Sequence, residues 1–291
     1  MQIKTKLFSS AFFSTAVALL ACAPMFAQQA QLAPDYNQTG KAYAPFDMTG
    51  WWVAIVTEDW RLRMMTAPKG DYYSIPLTPE GRRVADQWDA ERDIKEGKQC
   101  LGYGAVGIMR QPTRAHITWE GDNTMKLEMD AGKQVRTFNF TGSMATPPKP
   151  PAGEAGLQGF SVATWQTPQI TRFFAGKLNA QDPNTPGFSG QTPRGEPPAD
   201  TRKLGGNLKV VTTHMKPGYL RNNGVPYSAD AVLTEYYDLH EDAGQQYLVT
   251  TTIVEDPKYL YVPWVTSNHF RREADGSKFD PQACELILPS K

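Results

Sequence analysis

Residues 113–140 read Thr113-Arg-Ala-His-Ile-Thr-Trp119-Glu-Gly-Asp-Asn123-Thr-Met-Lys-Leu-Glu-Met129-Asp-Ala-Gly132-Lys-Gln-Val-Arg-Thr-Phe-Asn-Phe140. Three short strand-like runs, Arg114–Trp119, Met125–Met129 and Lys133–Phe140, are separated by Glu120-Gly-Asp-Asn123 and Asp130-Ala-Gly132. Such clusters of Gly, Asn and Asp between short runs are the signature of hairpins, so the stretch reads as an antiparallel meander.

Further strands are expected on both sides of it, at Trp51–Thr57, Gly159–Trp165, Leu208–His214, Ala231–Leu239, Tyr247–Glu255 and Val265–Arg271. About nine strands suffice to close a barrel. Gly50-Trp51-Trp52 resembles the Gly-x-Trp opening of a lipocalin-like barrel strand. Between Thr78 and Gly97 the period changes to that of a helix: Thr78 can cap, Pro79 suits the first turn, and Val84 and Trp88 lie four apart. The fold class expected is therefore mostly β, a lipocalin-like antiparallel barrel with one covering helix and a long proline-rich loop. That loop is read from residues 141–207, which hold ten of the 23 prolines and little apolar periodicity. Within it, 170–203 reads as a loop insertion at the barrel mouth rather than a second domain.

Residues 1–27 carry Lys4 and Lys6, an apolar run from Leu7 to Cys22, and Ala23-Pro-Met-Phe-Ala27. This is the pattern of a secretory signal peptide cut after Ala27, and Leu19-Leu-Ala-Cys22 also fits a lipoprotein signal with Cys22 acylated. Residues 28–45 are expected to form a flexible segment and 46–291 a single barrel domain. Past the signal, no segment approaches the roughly 20 apolar residues of a membrane-spanning helix, so a periplasmic, secreted or lipid-anchored protein is expected. Two cysteines then remain, Cys100 and Cys284. In an oxidising compartment they are expected to pair, reactive thiols being the alternative.

The chain has 30 basic and 30 acidic residues, leaving no net field to gather a polyanion, so nucleic acid is not an expected partner. A hydrophobic fraction of 40% supports a real core. No Gly-x-Ser-x-Gly and no glycine-rich phosphate loop occurs, and His116, His214, His240 and His269 form no metal-ligand spacing. Neither a cofactor nor a metal is expected.

The order Leu77-Thr-Pro-Glu-Gly-Arg82, Cys100, Ile108-Met-Arg110, Gly159-Phe-Ser161 with Trp165, Pro226-Tyr-Ser228 with Thr234-Glu235, Asp256-Pro257, Pro263-Trp264 and Gln282-Ala-Cys284 resembles a broad set of secreted bacterial proteins of mostly unassigned function. The resemblance covers nearly all of 46–284 and implies a secreted, mostly β fold without agreed catalytic residues. The chain departs from that set at Val162-Ala-Thr164 and in the 170–203 insertion.

Residues 207–238 concentrate the chemical groups: His214, Tyr219, Arg221, Tyr227 and Glu235. His214 shares strand parity with Leu208, Val210 and Thr212, and Glu235 with Leu233, Tyr237 and Leu239, so both are expected to face the interior. His214 is a proton-transfer group or a hydrogen-bonded core residue. A buried Glu235 needs a cation, for which Arg221, Arg136 or a histidine is available, and serves as a general acid or base or as one rung of a Glu–Arg ladder. The turns at Pro217-Gly218 and Asn222-Asn-Gly224 would fold the rest back over the mouth.

The site expected is one cavity: His214, Glu235, Tyr219 and Tyr227 as catalytic groups, with Arg221, Arg61, His116 and Tyr72 binding substrate. Arg61 and Arg63, directly after a strand, could hold a carboxylate or remain solvated edge charges. The function these groups suggest is binding of a small hydrophobic or aromatic compound and its conversion by metal-independent acid–base chemistry of the lyase, decarboxylase or isomerase type. The alternative is a non-catalytic lipocalin-like carrier of a lipid or aromatic metabolite, and a third class is a structural envelope protein.

Overall fold

The alternation read at 113–140 reappears as burial: in Thr124–Met129 every second residue is buried, with Met125, Leu127 and Met129 inward. The computed structural model describes residues 39–140, 150, 152, 153, 155–166 and 206–288. The expected signal segment, most of 28–45 and the whole 170–203 insertion lie outside the described residues.

Eleven strands are described: β1 (Gly50–Ile55), β2 (Arg114–Trp119), β3 (Thr124–Met129), β4 (Gln134–Phe140), β5 (Phe160–Gln166), β6 (Asn207–Thr213), β7 (Gly218–Arg221), β8 (Val225–Tyr227), β9 (Val232–Asp242), β10 (Gln245–Glu255) and β11 (Trp264–Glu273). Nine of them close a barrel in the order β1-β11-β10-β9-β6-β5-β4-β3-β2. These are the nine strands expected from the sequence, with ends shifted by a few residues. The one parallel neighbour pair is β4 with β5, Phe138–Phe140 alongside Ser161–Ala163. β7 and β8, which fall between β6 and β9 in the chain, form a separate two-stranded ribbon, while β6 and β9 pair directly in the barrel.

Inward residues fill the barrel: Trp52, Ile117, Leu127, Phe138, Phe140, Trp165, Leu208, Tyr237 and Phe270 belong to one core cluster. Aromatic rings interlock there, Phe46 edge-on to Trp165 at 5.1 Å and Phe138 against Tyr237 at 5.6 Å between centroids. A second cluster lies at one end. The register aligns Trp264 with Val254 and Val254 with Leu233 across β11, β10 and β9. That row packs with Tyr72 and Leu77 from the segment before Pro79, Ala85 and Val106 from two short helices, and Leu220 and Tyr227 from the ribbon, which together cap this end of the barrel.

The covering helix expected over Thr78–Gly97 is present in two pieces, α2 (Pro79–Ala85) and α3 (Ala90–Lys95), preceded in the chain by α1 (Trp60–Met64) and followed by α4 (Ala105–Ile108). Thr78 caps α2 as expected, its Oγ1 accepting the Gly81 N–H at 3.0 Å. The break has a local cause. Asp89 caps a new helix by accepting the Arg92 N–H at 2.9 Å, and Trp88 turns inward, donating from Nε1 to Asp93 Oδ2 at 3.0 Å.

The expected disulfide is formed: Cys100 and Cys284 are bonded, with Cα atoms 5.2 Å apart. It fixes the tail against the turn after β3, where Gly132 adopts φ +71 and a Cβ would come 2.7 Å from the Tyr103 ring and 3.0 Å from Cys284 Sγ. Only glycine meets both demands. Among the described residues no helix is long and apolar enough to cross a membrane.

Candidate functional site

Glu235 is fully buried on β9, as strand parity predicts, and its partner is Arg136 of β4. The two guanidinium nitrogens donate to the two carboxylate oxygens, Nη1 to Oε1 at 3.0 Å and Nη2 to Oε2 at 2.6 Å. Tyr237 donates to Oε1 at 3.2 Å, and Arg136 Nη2 lies 3.4 Å from Thr212 Oγ1. Burial works against the charge on Arg136, and the Glu235 carboxylate outweighs it, holding the guanidinium above its usual value. Burial and the same carboxylate push the Tyr237 phenol well up. Of the alternatives open for Glu235, this geometry is that of the Glu–Arg rung.

The remaining expected site residues are distributed elsewhere. His214 is exposed, because β6 ends at Thr213 and the chain turns there with His214 at φ 54, in the left-handed region. Inward parity at His214 would need the strand to run one residue further. Met215, fully buried in the second core cluster, takes the inward position instead, and among the described residues the His214 ring has one hydrogen-bond partner, Thr213 Oγ1, 2.9 Å from its Nδ1. His116 is on the outside of the barrel: its neighbours Ala115 and Ile117 point in, while its ring stacks on Trp51 at 3.7 Å and its Nδ1 lies 3.4 Å from Glu128 Oε2. It therefore does not share a wall with Glu235.

Tyr219, Arg221 and Tyr227 lie on the ribbon at the capped end. Tyr219 donates to Asp93 Oδ2 at 2.8 Å, and burial together with that bond raises its phenol. Tyr72 donates to Asp86 Oδ1 at 2.7 Å, with burial first and Asp86 second pushing it up to about 12. Burial alone raises Tyr227. Phenols displaced upward stay protonated at neutral pH and are poor bases. Tyr227 is 1% exposed, and its hydroxyl has no hydrogen-bond partner among the described residues. A buried, unpaired hydroxyl is unfavourable, so Tyr227→Phe is expected to raise stability by about 1 kcal/mol in urea unfolding; a loss of stability would mean that the hydroxyl is satisfied in solution.

Among the described residues, Arg221 and Arg61 share only an influence on Asp71. Arg61 is exposed and bonds Asp71 Oδ2 at 2.9 Å, while Arg221 is 5% exposed, donates to Ser74 Oγ at 3.1 Å and lies 4.0 Å from Asp59 Oδ2. The Arg61 bond is the main influence holding Asp71 below the usual carboxylate range, with Arg221 adding to it.

A cleft of about 320 Å³ opens beside this group. Its walls are the end of α1 and the residues after it (Arg63–Thr66), Gln111–Arg114, the Asp130–Gly132 turn, Asn222 and the C-terminal tail. Met64, Met65 and Ile287 supply apolar surface, and Arg63 and Thr66 supply polar atoms. Arg63 Nη2 and Thr66 Oγ1 are buried and unpartnered among the described residues. None of the eight residues expected to form the site lines this cleft. Arg63 was within reach of the sequence, since it stands two residues from Arg61 after a strand. Nothing in the sequence says which of the two is buried.

Among the described residues, no group of three or more His, Cys, Asp or Glu side chains is placed to hold a metal ion. No family model, curated protein or solved structure matches the chain.

Proposed function

We propose that the protein is an extracytoplasmic, lipocalin-like binding barrel that carries a small aromatic or amphipathic molecule and releases it unchanged. The observation that carries this reading is the cleft of about 320 Å³ at the capped end, where Met64, Met65 and Ile287 stand beside the unpartnered polar atoms of Arg63 and Thr66. Small-molecule sites start at volumes of roughly 300 Å³ and combine apolar surface with polar groups that fix orientation, and here polar and apolar surface share the walls about equally. Carriage is favoured over conversion because the titratable groups do not converge. His214 is exposed, and Glu235 is held by Arg136 inside the barrel. The resemblance to secreted bacterial proteins, the signal-like N-terminus and the Cys100–Cys284 bond support export.

The test uses the purified, oxidised protein incubated with a metabolite extract and separated by gel filtration, with mass spectrometry of both fractions. A compound retained at constant total amount is the expected result. A compound consumed with appearance of a product would favour acid–base conversion, and absence of any retained compound would reject binding. Met65, 41% exposed on the cleft wall, gives the control: Met65→Glu is expected to lower retention at least tenfold with an unchanged thermal midpoint.

A further inference from the structure

Arg63 belongs both to the cleft wall and to a group of guanidinium side chains that the barrel cap encloses. The side chains of Arg63, Arg110 and Arg221 are 1%, 6% and 4% exposed. Arg63 Nε donates to the Arg110 carbonyl oxygen at 2.8 Å, and Arg110 Nη2 donates to Asp59 Oδ2 at 2.9 Å. Arg221 lies 4.0 Å from that same Asp59 oxygen. Arg110 and Arg221 also share the Trp264 ring, at 5.3 and 5.8 Å from its centroid.

Three buried cations face two carboxylates, Asp59 and Glu58. Glu58 receives Arg63 Nη1 at 3.2 Å and is also in contact with His269. Arg61 adds a fourth cation, but Asp71 offsets it. Among the described residues one positive charge is thus left over, on guanidinium groups that are almost wholly buried beside two carboxylates that are about a third exposed. Three of the nitrogens involved, Arg63 Nη2, Arg221 Nε and Arg221 Nη1, are buried without a partner among the described residues.

A buried guanidinium costs several kcal/mol in lost hydration unless charge and hydrogen bonds replace the water, and unused donors add to that cost. Burial, with Arg110 as the next cause, lowers both Arg63 and Arg221 to about 10. The surplus charge and the unused donors bring an isolated protein no gain, whereas a ligand anion would supply both the missing charge and the missing acceptors.

We infer that Arg63, Arg110 and Arg221 form an anion site for a carboxylate-bearing ligand, reached through the cleft at Arg63, with Trp264 as its aromatic floor. A single surplus charge favours a monoanion, and guanidinium groups suit a planar oxyanion better than ammonium groups do. The inference rests on the reading of the protein as a binding barrel and names the ligand class for it.

Asp59 provides a variant with an effect of opposite sign. It stands at φ 50, a left-handed conformation that asparagine also tolerates, and Asn would keep an oxygen for Arg110 while removing one negative charge. Isothermal titration of the oxidised protein with benzoate and with benzyl alcohol at low salt is the experiment, repeated on Asp59→Asn and Arg221→Gln. Benzoate is expected to bind saturably and benzyl alcohol not to. Asp59→Asn should tighten benzoate at least threefold and Arg221→Gln weaken it at least tenfold.

Equal binding of the two probes, no saturable benzoate binding, or no tightening in Asp59→Asn would overturn the anion site. If Arg221→Gln does not fold, Asp59→Asn decides alone. Retention of a neutral compound in the extract experiment alongside a negative benzoate result would remove this inference and leave the binding barrel standing.

Discussion

Glu235→Leu is expected to lower the free energy of unfolding by about 3–5 kcal/mol, the range found when one member of a buried ion pair is removed. The cause is the partner left behind. Arg136 is fully buried within the barrel, its two terminal nitrogens spend their bonds on the Glu235 carboxylate, and its Nε is already unpartnered. Without Glu235 the guanidinium has, among the described residues, the Tyr237 hydroxyl, Thr212 Oγ1 at 3.4 Å and the face of Phe138 at 5.1 Å, none of which carries a full compensating charge. The double variant Arg136→Met/Glu235→Leu should recover most of the loss, because well-packed apolar side chains replace a buried pair at little net cost. Urea unfolding of the two single variants and the double variant gives the coupling energy directly. A double variant as unstable as the sum of the singles would show that the pair is not the unit, and that the hydrogen bonds to Tyr237 and Thr212 matter more.

The same pair shows where strand parity succeeds. Alternation is a property of every regular strand, so Glu235, well inside an eleven-residue strand, is placed inward by the sequence alone. His214 marks the limit of the argument. It stands one residue past β6, where pairing ends, and the side taken by a residue in a left-handed turn does not follow from the strand before it. The nine barrel strands were legible because turn residues punctuate them, whereas the ribbon from Gly218 to Tyr227 was read as a loop folded over the mouth. Its strands are four and three residues long, too short to show a period.

The cleft was hidden for a different reason. One of its walls is the extended tail 280–287, which carries no periodic pattern and is placed by tertiary contacts: Gln282 N–H to Asp130 O at 2.9 Å and Thr66 N–H to Ile287 O at 2.8 Å. Likewise Arg61 and Arg63 look equivalent in sequence, yet one side chain is 58% exposed and the other 1%. Positions two apart on the α1 turn face different directions, and only the cap above the barrel decides which of them is covered.

Cysteine counting did reach that tail, and it leads to the second large effect. Cys100→Ala/Cys284→Ala is expected to destabilise the protein by about 5 kcal/mol in the chain-entropy account, since the bond closes a loop of sequence separation 184. The loss should not be uniform over the molecule. The barrel closes through its own strand pairing, whereas beyond Cys284 the tail is held, among the described residues, by the Thr66 N–H bond to Ile287 O and by Tyr103 OH donating to Glu285 O at 2.7 Å. Local opening follows the weakest set of contacts, so the tail should loosen at lower denaturant than the strands. Because Gln282, Ala283, Glu285 and Ile287 form one wall of the cleft, ligand retention should fall at least tenfold in the double variant, or after reduction of the wild-type protein, while the far-ultraviolet spectrum still shows a folded β protein. Hydrogen exchange at Glu285 and Thr66, followed in both redox states, measures the opening itself. Retention that survives reduction undiminished would mean that the tail is not the wall the ligand uses, and would move the binding site away from this cleft.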